Sequence, residues 1–255
     1  MAKNIVKVLN AKGNVAQVMI KGTSPAVMNA IRRTILNEVP ILAIEEMSIY
    51  ENNGVLFDEF FAHRVGMVPI RTDPKTYKLG DKVKVSLDVS GPATVYSREI
   101  KVADPALEVL DKNIPLAKLK ANQRIRFEGE AIAGTGKQHV KFQPAIIGYR
   151  MLPQFKIAES VSAEEGKKIV ESCPVNIIEL KGKKLNITEP ADCTLCGKCE
   201  EVGGSAIIQV DPDDSGFILN IETSGSLSPD EAINGAFTIL EEKTKDFLKE
   251  IKDAL

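Results

Sequence analysis

Tryptophan is absent from this chain of 255 residues, histidine occurs twice, and cysteine only four times. The two histidines, His63 and His139, lie in no metal-ligand or triad spacing, so a packed or hydrogen-bonded role is expected for His63 and no catalytic residue is assigned. There is no surplus of positive charge: 33 Lys+Arg face 35 Asp+Glu, for a formal net charge of −2. A surface built mainly to track nucleic acid would be basic, so no strong direct nucleic-acid surface is expected. No apolar run reaches the roughly 18 residues that suggest a membrane span. The opening residues, MAKNIVKVLNAKGN, lack the apolar stretch of a secretory signal. These absences point to a cytoplasmic protein with reduced thiols. What is present in quantity is apolar surface, 44% of residues, enough for a packed core.

The scarce cysteines are concentrated. Cys193, Cys196 and Cys199 form a C-x2-C-x2-C run, and Cys173-Pro174 lies upstream. That is the ligand pattern of one iron–sulfur cluster. Two-cluster ferredoxins carry C-x2-C-x2-C-x3-C-P twice, with the fourth cysteine of each run serving the other cluster. Counting back from Cys173, the run positions of a second cluster are Ala163, Gly166 and Ile169; counting on from Cys199, the fourth position is Gly203, with Gly204 in place of proline. One complete ligand set is present and the other is wholly missing, the pattern of a ferredoxin-like module with one cluster. Gly197 would relieve the tight turn that brings successive sulfurs inward. Four thiolates favour [4Fe-4S]; [3Fe-4S] on three cysteines, a structural zinc site and disulfides stay open on spacing alone.

Along the chain, residues 1–22 read as a hairpin turning at Ala11 to Asn14. Thr23-Ser24-Pro25 starts a helix that runs to about Asn37, with a wide apolar face and adjacent Arg32 and Arg33, before a strand over Ile41–Ile49. Residues 50–157 read as mainly β, with a short helix from Phe57 to Val65. Strands alternate at Val83 to Val89, from Thr94 and over Ile125–Ile132. Gly134-Thr-Gly-Lys137 fails the phosphate-loop pattern, because Ala131 and Gln138 stand where a glycine and a hydroxyl residue are needed; it reads as a glycine-rich hairpin loop. The paired acids Glu45-Glu46 and Asp213-Asp214 read as solvated element ends. A helix is expected over Ala163 to Ser172 and a strand over Phe217 to Ile221. Ser228-Pro229-Asp230-Glu231 is a capping box opening a long last helix. Ile233, Phe237, Leu240, Phe247, Ile251 and Leu255 fall at near-heptad spacing, interrupted at Thr244. Such a stripe calls for a partner helix.

Three segments in this order resemble the α-like subunits of DNA-directed RNA polymerases, in particular the archaeal D-type subunits. Met28 to Leu36 (MNAIRRTIL) is similar to the family's dimerisation helix. Asp58 to Pro69 (DEFFAHRVGMVP) resembles its hallmark at the entry to an inserted domain. Phe217 to Gly225 with Ser228 to Ile233 resembles its closing strand and long helix. The resemblance covers nearly the whole chain, and the cysteine segment separates this form from the bacterial α subunit.

The resemblance implies an α+β fold in three parts: a discontinuous α-like dimerisation domain (1–48 plus 206–255), an inserted mainly β domain (49–160), and a small ferredoxin-like α+β iron–sulfur domain (161–205). It implies a non-catalytic scaffold that heterodimerises with subunit L and then gathers the small zinc-binding subunits N and P and the second-largest catalytic subunit. The expected dimer interface is Met28, Ile31, Arg32 and Ile35 on the first helix with Ile233, Phe237, Leu240, Phe247 and Ile251 on the last. Arg32 and Arg33 would meet carboxylates or backbone carbonyls across a subunit interface. An electron-transfer or redox-sensing protein is the alternative; it accounts for the cysteines but not for the rest of the chain. A zinc-binding adaptor is a third reading.

Overall fold

The computed structural model describes residues 5–254. In chain order the elements are β1 (Ile5–Lys12), β2 (Val15–Lys21), α1 (Pro25–Asn37), β3 (Ile41–Asn52), α2 (Asp58–Gly66), β4 (Lys82–Ser90), β5 (Ala93–Tyr96), β6 (Lys101–Val102), β7 (Pro115–Leu119), β8 (Arg124–Gly134), β9 (Ala145–Ile157), α3 (Ala163–Ser172), β10 (Ile178–Lys181), β11 (Lys184–Ile187), α4 (Lys198–Gly203), β12 (Ile208–Thr223) and α5 (Pro229–Ala254). Helices and several separate sheets make this a mixed α+β protein. The chain divides into two compact units. One holds Gln17–Met28 and Tyr149–Leu219 with the start of β1; the other holds Asn10–Ala16, Asn29–Gly148 and the chain from Asn220 onward. The crossings fall inside α1 and inside strands β1, β2, β9 and β12, in keeping with a sequence that offers no linker.

The larger unit is built on a four-stranded sheet of order β3-β8-β4-β6. β8 is central and antiparallel to both β3 and β4. Period-2 alternation sends Ile125, Phe127, Ala131 and Ala133 of β8 and Val83, Val85 and Leu87 of β4 to one buried face. β3 breaks this rhythm in an informative way. Leu42 and Ile44 point inward, then Met47 and Ile49 do, a step of three where two is expected. A bulge between Ile44 and Glu46 supplies the extra residue and restores the apolar set to the core. The bulge presses on β8 opposite: a Cβ at Gly129 would meet the Glu46 carbonyl at 2.3 Å, so only glycine fits.

Glu45 and Glu46 therefore lie in a mid-strand bulge and not at an element end. Glu45 pairs with the largely buried Lys141 ammonium, which also donates to the Ile44 carbonyl at 2.9 Å. Asp213 likewise sits inside β12, where it accepts from the Ser215 amide and hydroxyl at 3.0 and 2.9 Å.

α2 lies over this core through Phe61 and Val65, and Phe61 meets Phe127 edge-on at 5.9 Å. Arg64, in the same helix, donates to the Pro115 and Leu116 carbonyls of β7. The segment Gly134 to Lys137 is not a hairpin loop: β8 and β9 belong to different sheets, and the segment connects them. Its glycine is needed for close approach. A Cβ at Gly136 would lie 1.9 Å from the Leu36 carbonyl, and the Lys137 amide donates to the Asn37 carbonyl at 3.1 Å, satisfying the end of α1. β9, expected in the inserted region, stands beside β12 in a second four-stranded sheet, β1-β2-β12-β9.

The start of α5 is a densely bonded junction. Ser228 and Glu231 form the expected capping box: the Ser228 amide donates to the Glu231 carboxylate at 2.8 Å, and the Glu231 amide to the Ser228 hydroxyl at 3.4 Å. Arg71 adds a fork, with two bonds of 2.9 Å to the same carboxylate and a third of 3.0 Å to the Ser226 carbonyl. Thr72 extends the tie: its amide donates to Ser226 and its hydroxyl accepts from the Leu42 amide at the start of β3. Burial opposes ionisation of Glu231, but the Arg71 and Ser228 bonds outweigh it and hold the carboxyl at about 2, below its ordinary 4.5.

A carboxyl depressed on folding adds stability that is complete above its unfolded value and disappears as pH falls through its folded value. Melting temperatures of the parent and of Glu231→Gln should differ by a constant amount above about pH 5 and converge between pH 4.5 and about 2. A difference independent of pH would remove the ion pair from the account.

Candidate metal centre and subunit interface

The smaller unit carries the cysteines on a helix–hairpin–helix segment. α3 starts at Ser162, whose hydroxyl accepts from the Glu165 amide at 3.2 Å. Strands β10 and β11 form an antiparallel hairpin from Ile178↔Ile187 to Lys181↔Lys184. α3 packs on α4 and on β10. The apolar centre comprises Val161, Ile169, Ile177, Ile178, Leu185 and Ile208 together with three of the cysteines. Three positions counted as vacated by a second cluster have become part of this packing. A Cβ at Gly203 would meet Ile169 at 2.5 Å, and one at Gly166 would meet Leu180 at 2.7 Å. Apolar side chains occupy the half of the module that has no cysteine.

All four cysteines line one cleft, walled by Phe155, Val175, Ile177 and Val210. Each arrives by a different local device. Cys173 ends α3, with its amide donating to the Val170 carbonyl at 3.2 Å. Cys193 follows a single 3-10 turn, Pro190–Asp192. Between the cysteines of the run, Leu195 (φ +57°) and Gly197 (φ +71°) are left-handed. These two reversals wind the chain so that Cys193, Cys196 and Cys199 return to the same cleft. Glycine takes this conformation freely, as expected at Gly197; leucine does so at a cost of about 1–2 kcal/mol. The Leu195 amide in turn reaches the Cys193 sulfur at 3.4 Å. Cys199 lies in the first turn of α4.

None of the four cysteines is in a disulfide. Cys173, Cys193 and Cys199 are buried and Cys196 is exposed at the mouth. Burial pushes the Cys193 and Cys199 thiols up, against the pull of local amide donors. Uncompensated thiolates would be costly here, so a bound cation that takes their charge would displace protons on binding. Among the described residues, no group of three or more His, Cys, Asp or Glu side chains is placed so that it could hold a single metal ion. The cysteines share a cleft without closing on a single point. The donor set, four free thiols with apolar walls, is chemically suited to thiolate ligation.

Side chains expected at a subunit interface separate into two groups. Met28, Ile31 and Ile35 of α1 are 0, 3 and 0% exposed, buried within the chain itself. Arg32 is half-buried and donates to Asn29 at 2.9 Å. On α5 the stripe is open: Phe237 is 50% exposed and Phe247 62%, Ile251 is exposed, and Ile233 and Leu240 are half-buried. Every described residue from Glu241 onward is exposed; Leu255 lies outside the described residues. Sequence reading missed the opposite face. Pro229, Ala232 and Ala236 are buried, and Gly235 lies against Val39. The helix meets its own chain through small residues and presents its large ones outward. The i, i+4 pair of alanines is the signal that could have shown this.

Comparison with known proteins places these features in a family. Residues 17–244 match the family described as the RNA polymerase Rpb3/Rpb11 dimerisation domain. The chain belongs to this family. It is also similar over nearly its full length to proteins named DNA-directed RNA polymerase subunit Rpo3. That of Pyrococcus furiosus is 33% identical, over 99% of this chain and 98% of the relative. That of Methanopyrus kandleri is 35% identical (93% and 91%), and that of Thermococcus kodakarensis 33% (96% of both). The Rpb3/Rpb11 match runs from within β2 to within α5, so it spans the cysteine cleft and ends before Phe247 and Ile251.

With no metal added, a thiol reagent should modify one cysteine of four rapidly and the other three only on unfolding. Equal rates at all four positions would contradict the burial pattern.

Proposed function

We propose that this chain is the larger α-like subunit of an archaeal-type DNA-directed RNA polymerase and serves the enzyme as a non-catalytic assembly scaffold. The observation that carries the reading is the joint one: near-full-length similarity to Rpo3 proteins, and a terminal helix whose large apolar side chains have no cover. A helix of 26 residues, about 39 Å long, with its last turns exposed on every side, needs a second surface. In this proposal the surface is a helix of the smaller α-like subunit, subunit L. The resulting heterodimer then receives subunits N and P and the second-largest subunit. The division into a discontinuous dimerisation domain, an inserted β domain and a ferredoxin-like domain over 161–205 belongs to the same proposal, as does a cytoplasmic location. Among the described residues, no helix is long and apolar enough to cross a membrane.

The cysteine cleft is proposed to hold one iron–sulfur cluster, [4Fe-4S] with Cys173, Cys193, Cys196 and Cys199 as ligands. Support comes from their spacing, their common cleft and the absence of disulfides. The cluster would supply cross-linking: metal–thiolate bonds compensate for the small core of a module of about 45 residues. An electron-carrier reading draws on the exposure of Cys196, but leaves the open stripe of α5 without a role.

Two experiments test these assignments. Phe247→Glu should abolish co-purification with subunit L while leaving the melting temperature of the chain unchanged, because Phe247 touches little of its own chain. Retained heterodimer would remove the stripe from the interface. Cys196→Ser should unfold the cysteine module and weaken assembly with the large subunits while subunit L still binds. Normal assembly with loss of electron transfer alone would replace the structural role with a redox one.

A further inference from the structure

A guanidinium reaches the cysteine loop from β9. Arg150, half-buried, donates from one terminal nitrogen to the carbonyl of Cys193 and from the other to the carbonyl of Ala191. The two acceptors flank Asp192, so a single planar fork fixes the backbone on both sides of that residue. Residues 193–197 have no regular structure, lying between the 3-10 turn and α4. Their course depends on left-handed Leu195 and Gly197, which set direction but not position. Arg150 supplies position. It stands on a sheet strand more than forty residues away in sequence, and it ties down the residue that carries one of the four sulfurs.

We infer that Arg150 is a positioning residue for the metal centre: its fork holds the Cys193 segment ready for the cluster, and its fixed charge stabilises the anionic, four-thiolate form. The inference rests on the iron–sulfur reading of the cysteines. Two physical points carry it. The fork matches two carbonyls at once, which a lysine ammonium cannot reproduce with the same geometry. A cation held beside a cluster of thiolates favours the more negative, reduced state, so its removal lowers the reduction potential. The two-carbonyl contact calls for the fork, and an effect on potential calls for a cation; arginine supplies both.

The test compares the full-length parent with Arg150→Met and Arg150→Lys, each prepared anaerobically. Three quantities are read: iron and sulfide per chain, the rate of iron loss to a ferrous chelator, and the midpoint potential. For Arg150→Met the expected result is iron loss faster by on the order of tenfold, the lower end for removal of an outer partner of a metal ligand, together with a lower potential. Arg150→Lys keeps the charge and loses the fork, so its potential should stay close to the parent's while its iron loss remains accelerated. Parent-like iron loss and potential in Arg150→Met would overturn the inference and leave the cluster reading intact. Faster loss at unchanged potential would overturn the electrostatic half. Should Arg150→Met fail to fold, Arg150→Lys decides: parent-like iron loss in it overturns the positioning role. A parent that binds neither iron nor sulfide would overturn the cluster reading, and this inference with it.

Discussion

The bidentate bond between Arg71 and Glu231 joins the two things this chain must keep in register, the β core of its larger unit and the helix that leaves it. Glu231 is shared between the helix cap and the arginine, and Arg71 between the carboxylate and the Ser226 carbonyl. Through Thr72 the same knot reaches the amide of Leu42, the first inward residue of β3. Each group here would be costly to leave unpaired, and together they satisfy one another. The direction in which α5 departs is thereby set by a strand and a turn that precede it by more than 150 residues. A stripe presented for docking is useful only if its direction is fixed, because freedom at the root of a 26-residue helix would have to be given up on binding.

The cysteine module solves a different problem with few residues. Its core is small and a third of its buried members are cysteines, so whatever satisfies the thiols also determines whether the core is complete. On one side, Ile169 packs against Gly203 and Leu180 against Gly166. On the other, the run winds around the cleft through two left-handed residues. The module thus has one half closed by apolar packing and one half lined by four thiols.

Legibility in the sequence followed distance along the chain. The hairpin turn at Gly13, the start of α1 behind Ser24, the box at Ser228 and the spacing of the cysteines are all written within a few residues, and each appears in the structure where expected. The bulge in β3 was hidden because a step of three between inward residues, 44 to 47, leaves no mark of its own in a strand read straight through from Ile41 to Ile49. The pairing of β9 with β12 was hidden because no local pattern encodes a distant neighbour. The fold of Arg150 onto the cysteine loop was invisible for the same reason. The apolar faces of the two helices looked alike as patterns. Only packing revealed that α1 spends Met28, Ile31 and Ile35 on its own chain, while α5 spends alanines there and keeps its phenylalanines outside.

That last asymmetry makes folding a social property. A ligand that binds only the native form stabilises it by RT ln(1 + [L]/Kd), and here the ligand would be another polypeptide covering the outer face of α5. Supplied in excess of such a cover, the chain exposes aromatic side chains along a rod that any other apolar surface can meet. Supplied in balance, it hides them. The small residues beneath α5 anchor only its root, so any stabilisation of its outer turns would scale with the amount of a covering surface supplied.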